Sequence, residues 1–230
     1  MEGGDRMAVR EERRPMGETV VTTLAASAVI PAYNEESTIG AVVDALRATT
    51  YVQEVIVVSD GSEDRTAEVA RAHGAKVIEL AVNMGKGAAM REGLRASSSD
   101  VVVFLDADLV GLTPEHVVSL LHPVLGGKAE MSVGVFEGGR ALTDLAQVLA
   151  PHLSGQRAVR RTLMEGIGDI DEAGFGVELA LTRYIRRAGL AVEEVVLHNV
   201  THRTKEEKLG LVKGFAARMR MYWEIMRYLP

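Results

Sequence analysis

The sequence predicts an α/β fold: a mostly parallel sheet flanked by helices on both faces. Two observations carry this. Runs of four or five apolar residues alternate with stretches of helical periodicity, which requires crossover connections and therefore parallel strands. The runs are apolar throughout, as strands covered on both faces should be.

The elements follow in order. Residues 1–24 have no period and mixed charge, and are expected to form a disordered leader. Ala28-Val29-Ile30, ended by Pro31, reads as the first strand. Ile39, Val42, Val43 and Leu46 then recur at helical spacing. Val55–Val58 is the second strand, closed by Asp60-Gly61-Ser62. A helix from about Glu63 to His73 follows, with Ser62 as N-cap and Gly74 as its stop. Lys76–Leu80 reads as a strand, Lys86–Arg95 as a helix and Val101–Leu105 as the fourth strand, running into Asp106-Ala107-Asp108. Thr113-Pro114 opens another helix, with Thr at N-cap and Pro at the first helical position. Beyond residue 126 the alternation loosens. Strands are expected at Met131–Phe136 and Ala191–Leu197, helices near 141–149, 158–165 and 177–188, and a long final helix at Gly210–Leu229. Gly126-Gly127 and Gly138-Gly139 mark turns. The expected division is a leader over 1–24, one domain over 25–205, and a C-terminal helix over 206–230.

Composition narrows the function. The 230 residues are 47% hydrophobic and 25% charged, an ordinary globular profile. No Cys is present, which excludes disulfides, thiolate metal sites and Cys nucleophiles. The net charge of −6 argues against a nucleic-acid partner. No apolar run approaches the ~18 residues of a membrane span. The first sixteen residues lack an apolar core for a secretory signal, so the cytoplasm is the expected compartment. Charge is uneven: residues 201–230 hold seven Lys/Arg and three Asp/Glu, a +4 tail on a −10 body.

On a parallel sheet, ligands bind beyond the carboxyl ends of the strands. Pro31–Glu35, Asp60 and Asp106–Asp108 all follow strand ends, so three polar clusters should meet at one rim. Two carboxylates at i and i+2 after a buried strand suit a hard divalent cation, although an Asp turn that caps a helix has the same pattern. Asn83-Met84-Gly85-Lys86-Gly87 opens a helix whose backbone N–H groups and Lys suit a diphosphate; the bland alternative is a Gly-permitted turn with a surface Lys. The P-loop pattern is absent. Asp60 suits either a tight turn or recognition of a base or ribose donor. Arg157, Arg160 and Arg161, if helical, would share a face suited to phosphate or carboxylate; a solvated basic face is the competing reading. His198 and His202 are four apart without the HExxH context of a zinc helix.

Four segments, Pro31-Ala32-Tyr33-Asn34-Glu35-Glu36, Val57–Thr66, Asn83–Gly87 and Phe104–Asp108, occur in an order and spacing that resemble the family 2-type glycosyltransferases of the GT-A fold, over about residues 26–110. Later segments, Gly138-Gly139-Arg140, Leu153–Arg161, Gly174–Glu178 and His202-Arg203, resemble the glucosyl-3-phosphoglycerate synthases and their relatives, with Gln156 where that family is expected to have Glu. The resemblance implies roles. Pro31, Tyr33 and Glu35 would line the base and ribose pocket, with Asp60 on uracil. Lys86, with Gly85 before it, would sit near the diphosphate or the base pocket. Asp106, with Ala107 beside it, would contact the ribose or sugar. Asp108 and His202 would hold Mg2+ or Mn2+. Glu178 would hold sugar hydroxyls or act as a base, and Ser154, Gly155 and Arg157 would face the acceptor. Asp108, Glu178 and Lys86 would thus carry the catalysis.

The reaction so implied moves a hexose, glucose from UDP-glucose foremost and a GDP-sugar as second choice, to a small phosphorylated or carboxylated acceptor such as 3-phosphoglycerate. The relatives imply retention, the leaving phosphate itself taking the acceptor proton. Two other readings compete: transfer to polyprenyl phosphate at a membrane surface, and a non-catalytic nucleotide-sugar-binding protein. The tail bears on the first. Tyr222, Trp223, Tyr228, Arg218, Arg220 and Arg227 suit a membrane interface. Leu211, Phe215, Met219 and Trp223 instead form a stripe suited to packing on the body or in a homodimer, which is the preferred expectation.

Overall fold

The computed structural model describes residues 25–136, 154–166, 181, 184–185 and 187–203, with the backbone of residues 9–13 and 19–23. Within the segment read as a leader, β1 (Val9–Arg13) and β2 (Thr19–Thr23) pair antiparallel as a separate sheet. Every residue of β2 is β-branched, which favours extended backbone. The expected helices near 141–149 and 210–229 lie outside the described residues, as do Gly138-Gly139-Arg140, Glu178 and the tail aromatics.

The body is a seven-stranded sheet made of β3 (Ala26–Ala32), β4 (Val52–Asp60), β5 (Lys76–Leu80), β6 (Val101–Phe104), β8 (Met131–Phe136), β9 (Arg157–Arg160) and β10 (Val192–Leu197). Its order is β10-β8-β9-β6-β3-β4-β5, and only β9 runs against its neighbours. A second, two-stranded antiparallel pair joins β7 (Leu109–Val110) to β11 (Thr201–His202). The helices are α1 (Ile39–Arg47), α2 (Thr66–Ala72), α3 (Lys86–Ala96), α4 (Pro114–Leu125) and α5 (Arg161–Gly166).

The strands are apolar on both faces because both faces are covered. Ala28, Ile30, Val55, Val57, Val101 and Val103 point into a core shared with Ile39, Val42, Leu46, Leu120, Leu121 and Val124 of α1 and α4. The intervening Val29, Val102 and Phe104 meet Met90 and Leu94 of α3, Leu163 and Met164 of α5, and Leu181 and Ile185. Ile56 and Val58 meet Ala89. A strand's period of two thus divides each apolar run between two layers of helix.

Two expectations need correction. The stretch read as a helix near 158–165 is strand β9 followed by α5. Inserted between β6 and β8, β9 pairs with both, with Val102↔Val159 on one side and Ser132↔Ala158 on the other. Buried strand edges require backbone partners, and this demand outweighs local helical propensity. Helix α2 begins at Thr66, three residues later than expected, because the intended cap is used elsewhere. Ser62 Oγ accepts the Asn34 N–H at 3.1 Å, and Asn34 Oδ1 accepts the Glu63 N–H at 2.8 Å. The Glu35 N–H donates to Thr66 Oγ1 at 2.8 Å, and Asp64 accepts the N–H groups of Glu36 and Thr66 at 3.1 and 2.9 Å. Asn34 completes this clasp with φ of 56°, a conformation its short amide tolerates. The loops leaving β3 and β4 are therefore locked together at the rim.

Helix α3 lies hard against the sheet at Gly93, where a Cβ would fall 2.3 Å from Val29 Cγ1 and 3.2 Å from Val58 Cγ2. Gly93→Ala should therefore lower stability by about 1–3 kcal/mol through overpacking, despite its better helix propensity. Urea melts check this; an unchanged or raised midpoint would show that α3 can withdraw from β3.

Candidate functional site

The carboxyl ends of β3, β4 and β6 form one rim, as the topology requires. Asp60, the last residue of β4, is 4% exposed, and both its oxygens are engaged: Oδ1 accepts the Met84 N–H at 2.7 Å and Oδ2 the Gly85 N–H at 2.8 Å. It holds the loop that starts α3. Two of the backbone donors expected to face a phosphate are therefore committed to Asp60. The same bonds aim Lys86, the first residue of α3, across the rim, where its Nζ lies 2.7 Å from Asp106 Oδ1. Pro31 lies in β3, and Tyr33 and Glu35 just past it; Tyr33 is 46% exposed.

Asp106 and Asp108 leave β6 together, with Ala107 buried between them. His202 reaches them from 94 residues away through the short pair of β7 and β11, in which His202 opposes Leu109. The Arg203 N–H donates to the Asp108 carbonyl at 3.0 Å and closes that bridge. His202 Nδ1 lies 2.9 Å from Asp108 Oδ1, and Phe136 at the end of β8 meets the imidazole edge-on with ring centroids 4.9 Å apart. One ligand atom each from Asp106, Asp108 and His202 falls within 4.8 Å of the others. Two carboxylates and an imidazole form a donor set that suits Mg2+ or Mn2+.

The charges around the cluster shift the pKa of two of its members. Burial pushes the Asp106 carboxyl upward, but Lys86, by charge and hydrogen bond, and His202 together hold it below the usual carboxylate range; Asp108 opposes them. Burial also disfavours the His202 cation. The hydrogen bond to Asp108 and the charges of both carboxylates outweigh that, and its pKa is raised above the ordinary imidazole value.

The antiparallel direction of β9 brings the start of that strand to the same rim, with Arg157 opposite Phe104. Gly155 lies so close to the ion pair that a Cβ would fall 2.4 Å from Asp106 Oδ2 and 2.6 Å from Lys86 Nζ. Ser154 Oγ lies 2.6 Å from the Gly134 carbonyl. Arg157 is fully enclosed and donates from Nε to the Ser154 carbonyl at 3.2 Å, with a second bond from Nη2, so it supports this loop from within. The three arginines do not share a face, because they are not on one helix. Arg160 pairs with Glu130 at 3.1 Å, and Arg161 ties Leu94, Ser97 and Ser99 behind α3. Gln156 and Phe136 are site neighbours that sequence reasoning did not place. Gln156 was visible only as a departure from the family pattern, and Phe136 only as the end of an apolar strand.

Residues 27–168 match the family described as glycosyl transferase family 2. A glucosyl-3-phosphoglycerate synthase of Mycobacterium tuberculosis is 34% identical over 225 residues, covering 80% of this chain and 68% of that protein. A crystal structure of such a synthase from Mycobacterium tuberculosis, in complex with Mn2+ and uridine-diphosphate-glucose, superposes with a TM-score of 0.68 at 32% identity, covering 85% of this chain and 75% of that one. A further structure, which also holds phosphoglyceric acid, gives 0.68 at 31%, with 85% and 76% covered. The mostly parallel seven-stranded sheet is that of the GT-A fold.

A ligating imidazole must lose its proton, so ion and proton compete for His202. Because the folded protein raises that pKa above 6.5, manganese affinity should climb as pH rises through and beyond the ordinary imidazole range, by up to ~10-fold per pH unit while one proton is displaced. Water-proton relaxation titrations between about pH 6 and 8 check this; a flat profile would remove His202 from the ligand set.

Proposed function

Because this chain belongs to glycosyl transferase family 2 and is thereby a glycosyltransferase, we propose that it transfers glucose from UDP-glucose to a small acidic hydroxyl acceptor such as 3-phosphoglycerate, in a divalent-metal-dependent reaction that retains anomeric configuration. The convergence of Asp106, Asp108 and His202 within 4.8 Å, beside Lys86, is the observation that carries this reading. It is supported by relatives solved with UDP-glucose, Mn2+ and phosphoglyceric acid.

We assign the roles as the family resemblance implies them, with support from where the residues stand. Pro31, Tyr33 and Glu35 bind the base and ribose, on a loop already clasped to the one after β4. Asp60 shapes the diphosphate loop through Met84 and Gly85, and each of its oxygens keeps a lone pair for a base donor. Asp108 and His202 hold the ion, with Asp106 and Ala107 against the ribose or sugar; Mg2+ or Mn2+ bound there supplies Lewis-acid neutralisation of the leaving diphosphate. Lys86 adds a second positive charge on the same side. Ser154 and Gly155, backed by Arg157, form the acceptor wall next to Asp106. Glu178, outside the described residues, is assigned to the sugar hydroxyls.

Retention is supported by how the rim carboxylates are occupied. Asp60 accepts two backbone N–H groups, Asp106 pairs with Lys86, and Asp108 pairs with His202. Despite its burial, Asp106 is held below the usual carboxylate range by Lys86 and His202, which makes it a poor proton acceptor, and the acceptor proton is assigned to the departing phosphate oxygen, as the family resemblance implies.

Incubating UDP- and GDP-sugars with 3-phosphoglycerate, glycerate and a short polyprenyl phosphate, each with Mn2+ or Mg2+, tests the whole reading. UDP-glucose with a small acid should give an α-linked product by proton NMR; a β-linked product would refute retention, and turnover only on the polyprenyl phosphate would refute the acceptor class. Asp108→Ala should lower metal-dependent transfer at least ~100-fold, reflecting the several kcal/mol of charge stabilisation a metal ion supplies, with an unchanged circular dichroism spectrum. Full activity in a folded Asp108→Ala protein would exclude the metal assignment.

A further inference from the structure

Gln156 is fully buried, yet it is a polar side chain placed against the most charged point of the rim. Its Nε2 donates to Asp106 Oδ2 at 2.8 Å, across 50 residues of sequence. Its Oε1 lies 2.9 Å from Ser154 Oγ, which also lies 3.2 Å from the Gln156 backbone N. The Gln156 carbonyl accepts the Gly134 N–H at 2.8 Å, which ties the residue to β8. The amide is held at Nε2 by Asp106, which sets its orientation, while its Oε1 shares the single Ser154 hydroxyl proton with the Gly134 carbonyl 2.6 Å away.

Asp106 is consequently gripped from two sides, by Lys86 on Oδ1 and by the amide on Oδ2. Gly155 lies so close over the pair that a Cβ there would have to displace the Asp106 carboxylate or the Lys86 ammonium. Lys86 alone would leave the carboxylate free to turn about its last torsion, and a lysine stem is flexible. The amide is neutral and carries no proton to lose, so it fixes the carboxylate without adding charge. An acid at this position would set a third carboxylate against Asp106. Groups that orient a metal site's ligands from behind typically change metal affinity by about 10–100-fold when removed.

We infer that Gln156 is a positioning residue: its amide fixes the orientation of Asp106, which stands within 4.8 Å of Asp108 and His202, and so sets the affinity of the site those two residues form for a divalent cation with a nucleoside diphosphate. This rests on the donor-site reading above. It also links the acceptor-side loop, through Ser154, to the donor-side carboxylate.

The test is manganese and UDP binding, followed by calorimetry and by the electron paramagnetic resonance spectrum of bound Mn2+, with no turnover required. Gln156→Met keeps the length and apolar bulk of the side chain and removes both polar ends. It should weaken Mn2+·UDP binding about 10-fold or more and change the bound-Mn2+ spectrum, while the folded protein keeps a native circular dichroism spectrum. Should Gln156→Met not fold, Ser154→Ala releases the amide's far end and should weaken the same binding by a smaller factor, about threefold. Wild-type affinity and an unaltered spectrum in either folded variant would overturn the inference, since packing alone would then explain the residue. If the unmodified protein binds no UDP with Mn2+, the donor-site reading itself fails and takes this inference with it.

Discussion

Two carboxylates leaving a buried strand two residues apart must find positive charge. Asp106 and Asp108 stand at a half-buried rim where water screens them poorly. Lys86 answers one from the start of α3, and His202 answers the other from the far end of the described chain. Much of the surrounding structure serves these two encounters. Asp60 holds the loop that aims Lys86, and the pairing of β7 with β11 delivers His202. Each carboxylate of the cluster thus has a nitrogen partner, and Lys86 also suits an anionic leaving group.

The reversed strand β9 joins the two halves of the site. In an all-parallel sheet, residues that precede a strand lie at the rim opposite the ligand. Because β9 runs antiparallel, Ser154, Gly155 and Gln156 lie beside Asp106 instead. The donor half, built from β3, β4 and β6, and the acceptor half, built on the approach to β9, therefore share one carboxylate. That contact leaves little room, as the position of Gly155 shows.

Most of the first hundred residues were legible. The apolar runs from Ala28 to Leu105, the helix spacing of Ile39–Leu46, and the Thr113-Pro114 start match β3–β6, α1 and α4, because each depends on local pattern or on burial common to a two-faced sheet. Where reading by segment failed, a partner distant in sequence had intervened. Ser62 reads as a cap, but Asn34 takes its hydroxyl and α2 starts at Thr66. The stretch near 158–165 reads as helix, but two open strand edges claim its first residues for β9. The arginines then disperse: one is enclosed behind the Ser154 loop, and the others lie on Glu130 and the α3 terminus.

The chain's own order of residues settled which side chains stand at strand ends, and so which carboxylates, lysine and glycines reach the rim, because strand and helix periods are local properties. Only the tertiary structure decided how those groups are used: that His202 meets Asp108, that Asp60 turns to the backbone of Met84 and Gly85, and that Gln156 rests on Asp106. Those contacts span tens of residues and depend on strand direction and register, which arise from packing the whole sheet and have no signature in any single segment.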